Sequence, residues 1–163
     1  MKQFKILFIS LVFSSNLSLA CCCHKVDVVH DKNPKASFIL RQEARKEKPN
    51  IDVIKEAVIS GAYIEAMIGR GIMKRTILQY FSSVGNKEAV IILLEANVNL
   101  NAQDNFGQTA LHWAARKGQL EVLKVLLEAG SDRKVIGILG KTAADLAEEN
   151  NKTQCVEYLQ ELS

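Results

Sequence analysis

Few side chains in this sequence are of the kinds that do chemistry, and their spacing decides what they could do. The chain has four cysteines and three histidines, and three of the cysteines stand with a histidine in one run, Cys21-Cys22-Cys23-His24. Thiolates and an imidazole are ligands for a soft metal. Adjacent residues in a tail, however, do not readily close a tetrahedral site, and no second Cys/His cluster follows to complete one. No metal is expected. Acylation, an intermolecular disulfide or the composition of an export site account for the run better. The fourth, Cys155, keeps a 33-residue register with Val122 and Ala89, so a small buried thiol is expected there. His112 has no Ser/His/Asp set or carboxylate pair beside it in sequence, and no glycine run carries the Lys and Ser/Thr of a phosphate loop. The chain is expected not to be an enzyme, to hold no cofactor and to take no small-molecule substrate.

Charge excludes two further classes. The formal charge is +3, and two of the positives, Lys2 and Lys5, belong to an N-terminal leader. What remains is near neutral and mixed in sign, so neither a nucleic-acid face nor a polybasic membrane footprint is expected.

The elements that must position His112 lie between Asp104 and Gly130. Thr109 stands where a helix N-cap belongs. Ala110, Leu111, Ala114 and Ala115 give a short helix with one small apolar face, and Gly118 ends it where a left-handed residue is wanted. Leu120, Leu123, Leu126 and Leu127 continue at the three- and four-residue spacing of a second amphipathic helix, closed by Gly130. Two helices this short cannot bury both apolar faces alone, so the pattern should recur. It does. Thr76, Thr109 and Thr142 are 33 residues apart at each step, as are Gly107 and Gly140, Gly85 and Gly118, and Leu93-Leu94 and Leu126-Leu127. Asn97 replaces Gly130, and Asn151 replaces Gly118, at positions that need positive φ.

A 33-residue unit carrying Thr109-Ala110-Leu111-His112-Trp113-Ala114 resembles an ankyrin repeat. The unit at 104–136 matches closely. Those at 71–103 and 137–163 match less well, since neither Thr76-Ile77-Leu78-Gln79 nor Thr142-Ala143-Ala144-Asp145 carries the family's Pro and His. A degenerate copy over about 50–70 places Ala57 and Gly61 where Ala114 and Gly118 stand. The interval from Gly61 to Thr76 is short, so the second helix of that copy must be cut down. The resemblance implies an all-α solenoid of about three helix-turn-helix units plus a degenerate N-terminal cap, within a repeat domain over 50–163. The far end closes on Cys155 to Glu161, where Gln160 replaces the equivalent of Leu127 and leaves a polar outer side. It also implies that His112 holds the turn between units by hydrogen bonds.

Ahead of the repeats, Met1-Lys2-Gln3-Phe4-Lys5 is a basic leader, Ile6 to Phe13 is apolar apart from Ser10, and Ser18-Leu19-Ala20 offers a cleavage site. Residues 1–20 read as a signal peptide, too short an apolar run to span a membrane. Leu17-Ser18-Leu19-Ala20-Cys21 resembles, imperfectly, the site at which bacterial lipoproteins are cut before an acylated Cys, which makes Cys21 a candidate for lipidation and the N-terminus a candidate membrane tether. The protein is expected to be an exported bacterial one: periplasmic, membrane-tethered or secreted. Residues 21–49 read as a Cys-rich start and a charged tether. Within it Ser37 is placed to cap a helix through Phe38-Ile39-Leu40, which either docks on the first repeat or spaces it from a membrane. Pro49 marks the boundary.

The resemblance further implies binding of a protein partner, of unstated identity, through the concave face and loop tips of the stack. The candidate contacts fall in columns. Met73, Phe106 and Leu139, with Ile138 beside them, occupy the tips. Tyr80, Trp113 and Leu146 follow the His position, and Arg116 lies in the next column outward. Apolar tips need cover, and aromatic residues near Arg are usual interface anchors. Replacing Trp113 or Phe106 by Ala is expected to weaken the partner without unfolding the stack. A small exported inhibitor or immunity-type factor that occludes an enzyme would use the same groove.

Overall fold

A computed structural model describes residues 32–65, 67–69 and 74–161. The signal segment, the Cys21–His24 run and Met73 lie outside them. Among the described residues the chain is helical, with eight helices and one pair of two-residue strands: α1 (Pro34–Ala44), α2 (Ile51–Ile59), β1 (Met67–Ile68), β2 (Arg75–Thr76), α3 (Ile77–Val84), α4 (Lys87–Glu95), α5 (Ala110–Lys117), α6 (Leu120–Glu128), α7 (Ala143–Glu149) and α8 (Thr153–Glu161). Helices pair in sequence as hairpins, α1 with α2 through α7 with α8. First helices then stack on first helices, α1–α3–α5–α7, and second on second, α2–α4–α6–α8. The result is the all-α solenoid expected.

The helix ends follow the backbone chemistry read from the sequence. Thr76 and Gln79 form a reciprocal capping box, Gln79 N donating to Thr76 Oγ1 at 3.2 Å and Thr76 N to Gln79 Oε1 at 2.8 Å. Thr142 and Asp145 repeat it, at 2.7 Å from Thr142 N to Asp145 Oδ2. Asn97 and Asn151 take φ of 57° and 55°, the described non-glycine residues in the left-handed region. Their side chains tolerate that conformation better than other residues do.

One core runs the length of the stack, between the two columns of helices. Leu40, Ile54, Ile77, Phe81, Leu93, Leu111, Leu123 and Leu126 are wholly buried in it. The second-helix positions Ala89, Val122 and Cys155 are each buried, as their shared register predicts. Desolvation raises the Cys155 thiol above its ordinary pKa, which keeps it protonated and unreactive.

The N-terminal end differs from the sequence reading. Of the two placements open for the helix through Phe38-Ile39-Leu40, docking is the one found, but from Pro34 to Ala44 the segment read as a tether is itself a helix of the first-helix column, packed on α2 and α3. Helix α2, read as the first helix of a shortened copy, is instead a second helix, packed on α4. The first hairpin is therefore α1–α2. Its start is Asn33-Pro34, not Ser37: Asn33 Oδ1 accepts from Ala36 N at 3.2 Å and Pro34 takes the first turn, where its missing N–H is no loss. Ser37 is buried, its hydroxyl donating to Asn33 O and accepting from Tyr63 N at 2.7 Å. Pro49 lies in the α1–α2 turn, followed by Asn50, which caps α2 by accepting from Asp52 N at 2.9 Å. Glu43 pins that turn, pairing with Lys46 and accepting from Asn50 N at 3.2 Å. Those two contacts hold its carboxyl below the usual range.

Candidate partner-binding face

The turns that cross from one hairpin to the next present the candidate residues, and Asp104 builds the central one. Its backbone N donates to Gln108 O at 3.0 Å. Its Oδ1 accepts from Phe106 N at 2.8 Å and Gln108 N at 2.9 Å, and its Oδ2 from Trp113 Nε1 at 2.9 Å. One buried carboxylate thus closes the turn and fixes the indole. At the tip, Phe106 O accepts from Ile138 N at 3.0 Å, tying adjacent turns together. Gly107 makes room for that bond: its φ is +68°, and a Cβ there would stand 2.9 Å from Ile138 N.

Below the turns, one position of each first helix ties the units together. His112 Nδ1 faces Thr109 Oγ1 at 2.8 Å and Thr109 N at 3.3 Å, and Nε2 faces Lys141 O of the next turn at 3.3 Å. The tautomer that satisfies all three is the neutral one protonated on Nε2. Burial lowers the His112 pKa, against the smaller opposing pull of the Lys141 and Val135 carbonyls. Gln79 does the same work one unit earlier, donating from Nε2 to Ala102 O at 2.8 Å and Gln108 O at 3.0 Å. Asp145 makes only the local half: its carboxyl, held low by the Thr142 N–H and hydroxyl, has nothing to donate.

Trp113 is 5% exposed and Leu146 also 5%. Neither projects as an exposed anchor, which corrects the placement expected of them, and Leu146 meets the groove only as part of a pocket wall. Arg75 on the first turn explains the first case. Its guanidinium carbon lies 4.0 Å from the Trp113 ring centre, and that of Arg116 lies 5.4 Å away. Arg75 also donates to Ser83 Oγ at 3.2 Å. Tyr80 is half-buried against the core. The tips are different. Phe106 is 38% exposed, Ile138 72% and Leu139 71%, with Ile136 at 57% beside them. Arg116 is exposed, and with Gln108, Leu139, Leu146, Glu149 and Asn150 it lines a groove pocket of about 500 Å³.

The structure thus gathers Phe106, Ile138, Leu139 and Arg116 at one end of the groove and takes Trp113 and Leu146 into its wall. Arg75, Asp104 and Gln108 escaped the sequence reading. Asp104 before Gly107 is a turn signature that could have drawn notice. Nothing local marks Arg75, whose partner is Trp113, far along the chain.

The comparisons with known proteins agree with this architecture. A family model described as ankyrin repeats, in three copies, matches residues 42–136. The chain belongs to the ankyrin-repeat family. The human palmitoyltransferase ZDHHC17 is 39% identical over 71 residues, which are 43% of this chain and 11% of that protein. The fowlpox virus ankyrin repeat protein FPV219 is 34% identical over 76 residues, 45% of this chain and 18% of its own. The mouse protein phosphatase 1 regulatory subunit 12A is 32% identical over 87 residues, 53% of this chain and 8% of its own. Each relative is matched over less than a fifth of its length. Ankyrin repeats are in general non-enzymatic modules of protein–protein interaction. Among the described residues, no helix is long and apolar enough to cross a membrane.

Proposed function

We propose that this stack binds a protein partner along the groove between its turns and its first helices, anchored at the apolar tips. The observation that carries the reading is the exposed cluster Phe106, Ile136, Ile138 and Leu139, beside the pocket that Leu139 shares with Leu146 and Arg116. Large apolar side chains left in water at one end of a groove are what interfaces cover. Protein phosphatase 1 regulatory subunit 12A, by its name a subunit of an enzyme, fits a module whose ligands are proteins. Crosslinking mass spectrometry in the native cell tests the proposal. A partner crosslinked to the tip segment should be lost on Leu139→Asp and kept on Lys55→Asp at the far end of the stack. Equal capture by both variants would refute it.

We propose further that the protein works after export, on the strength of the basic leader, the apolar run from Ile6 and the small residues before Cys21. A reporter active only outside the cytoplasm, fused after residue 31, should be active. Palmitate labelling lost on Cys21→Ser would add the membrane tether, and labelling absent from the intact protein would remove it.

A further inference from the structure

The groove contains a basic cluster that takes part in no ion pair among the described residues. Arg75 and Arg116, from successive units, both rest on the Trp113 ring, at 4.0 and 5.4 Å from its centre. Ser83 holds Arg75 on one side, and Asp104 holds the indole from its other edge. Asp104 is not their counter-ion: its two oxygens take three neutral N–H donors. Among the described residues the ion pairs are Lys46–Glu43, Lys87–Glu121, Lys124–Glu121 and Lys141–Glu149, so neither arginine is in an ion pair; Glu149, which lines the pocket with Arg116, pairs with Lys141 instead. Lys74 and Lys117 adjoin them in sequence and are also outside those pairs. The guanidiniums are therefore positioned before any ligand arrives, and stacking on an aromatic face leaves their N–H edges free to bind.

A second observation lies on the neighbouring wall, where Leu139 is 71% exposed and lines a pocket with Arg116 and Leu146. An apolar side chain in water beside the Arg116 guanidinium suits a ligand that is acidic and apolar side by side.

We propose that the partner presents an acidic segment: its carboxylates are taken by Arg75 and Arg116, and a neighbouring apolar side chain by the pocket between Leu139 and Leu146. Guanidinium and carboxylate match in shape as well as charge, which selects a carboxylate over a neutral amide. This rests on the reading that the stack binds protein, and it names the chemistry of what is bound.

The test is selection of a displayed library of random short peptides on the full chain, followed by titration of the synthetic winners. Trp113 is the single tryptophan of the chain, so its emission reports occupancy of the cluster directly. The selected pool should be enriched in Asp and Glu next to a large apolar residue, and the peptides should shift Trp113 emission. Binding should weaken with salt, and fall by about tenfold to a hundredfold in the double variant Arg75→Gln/Arg116→Gln. The double variant should keep the wild-type circular dichroism, and Arg75→Lys/Arg116→Lys should bind at an intermediate level.

Peptides that bind the groove without acidic enrichment, or equally well to the Gln variant, would overturn the proposal and leave partner binding intact. A library that yields no binder at all would count against both. A short DNA strand that displaces the peptides and binds more tightly would assign the cluster to phosphate and overturn it too.

Discussion

Replacing His112 by Gln and by Ala separates what this residue does for the stack from what its ring does with protons. The imidazole serves three buried or half-buried partners: Thr109 N, Thr109 Oγ1 and Lys141 O. Ala leaves them unpaired and opens a void where a ring of 1% exposure stood. At ~1–3 kcal/mol for each buried group left unsatisfied, with solvent or relaxation recovering part, the loss should be about 3–5 kcal/mol. Gln should cost less than about 1 kcal/mol at neutral pH. The reason is in the same molecule: Gln79 accepts from its own cap and donates to the following turn with an ordinary amide.

The pH dependence carries the sharper distinction. Burial lowers the folded-state pKa of His112, while the unfolded chain titrates near the ordinary value of about 6.5. Below that value the unfolded state binds the extra proton and the folded state does not. Stability contributed by the neutral ring is therefore complete above pH ~6.5 and is lost as pH falls from there toward the folded pKa, with a slope of at most about 1.4 kcal/mol per pH unit for one proton. His112→Gln has no such proton. Urea unfolding followed by circular dichroism, between about pH 7.5 and about pH 5, should show the wild type losing stability relative to His112→Gln. The other histidines are common to both chains and cancel. Parallel curves for the two proteins, or an Ala variant no weaker than the Gln variant, would refute the assignment.

Three other perturbations follow from the geometry. Trp113→Ala should lose ~3–5 kcal/mol in the same unfolding assay, whereas Phe106→Ala, at a half-open tip, should change stability by less than about 1 kcal/mol. Leu40→Ala should cost ~2–5 kcal/mol, which a helix in a mere spacer would not, so a thermal melt distinguishes the two placements of residues 34–44. Gly107→Ala should cost about 1–3 kcal/mol through its positive φ and the crowding of the Ile138 amide, and faster amide exchange at Ile138 would show that the bond between turns has loosened.

The sequence made the repeat legible because the constraints on it are local. A cap residue, a residue at positive φ and an apolar face at helical spacing each act within a few positions, so Thr76, Thr109 and Thr142 mark the helix starts, and Asn97 and Asn151 stand in for glycine. The first hairpin was hidden for a physical reason. Arg41 to Lys48 is dense in charge, and most of it faces solvent, while the buried side of α1 consists of Ala36, Ser37, Leu40, Glu43 and Ala44. Only Leu40 among these is a large apolar residue. The longer connection through β1 and β2 also breaks the 33-residue register, so the Ala57–Gly61 likeness to the first-helix pattern pointed to the wrong column.

The site was less legible than the fold, and Trp113 shows why. Its place after His112 puts it on the groove side of α5, where its own unit covers it only in part, through Asp104 on the indole N–H and Arg116 at 5.4 Å from the ring centre. The closer cover comes from the preceding unit, whose Arg75 lies over the ring at 4.0 Å from its centre. Burial at a boundary between repeats depends on two units at once, whereas column reading compares each unit with its own copies. Phe106, Ile138 and Leu139 lie at tips and are exposed, as their columns suggest, because exposure at a tip depends less on what the neighbouring unit supplies.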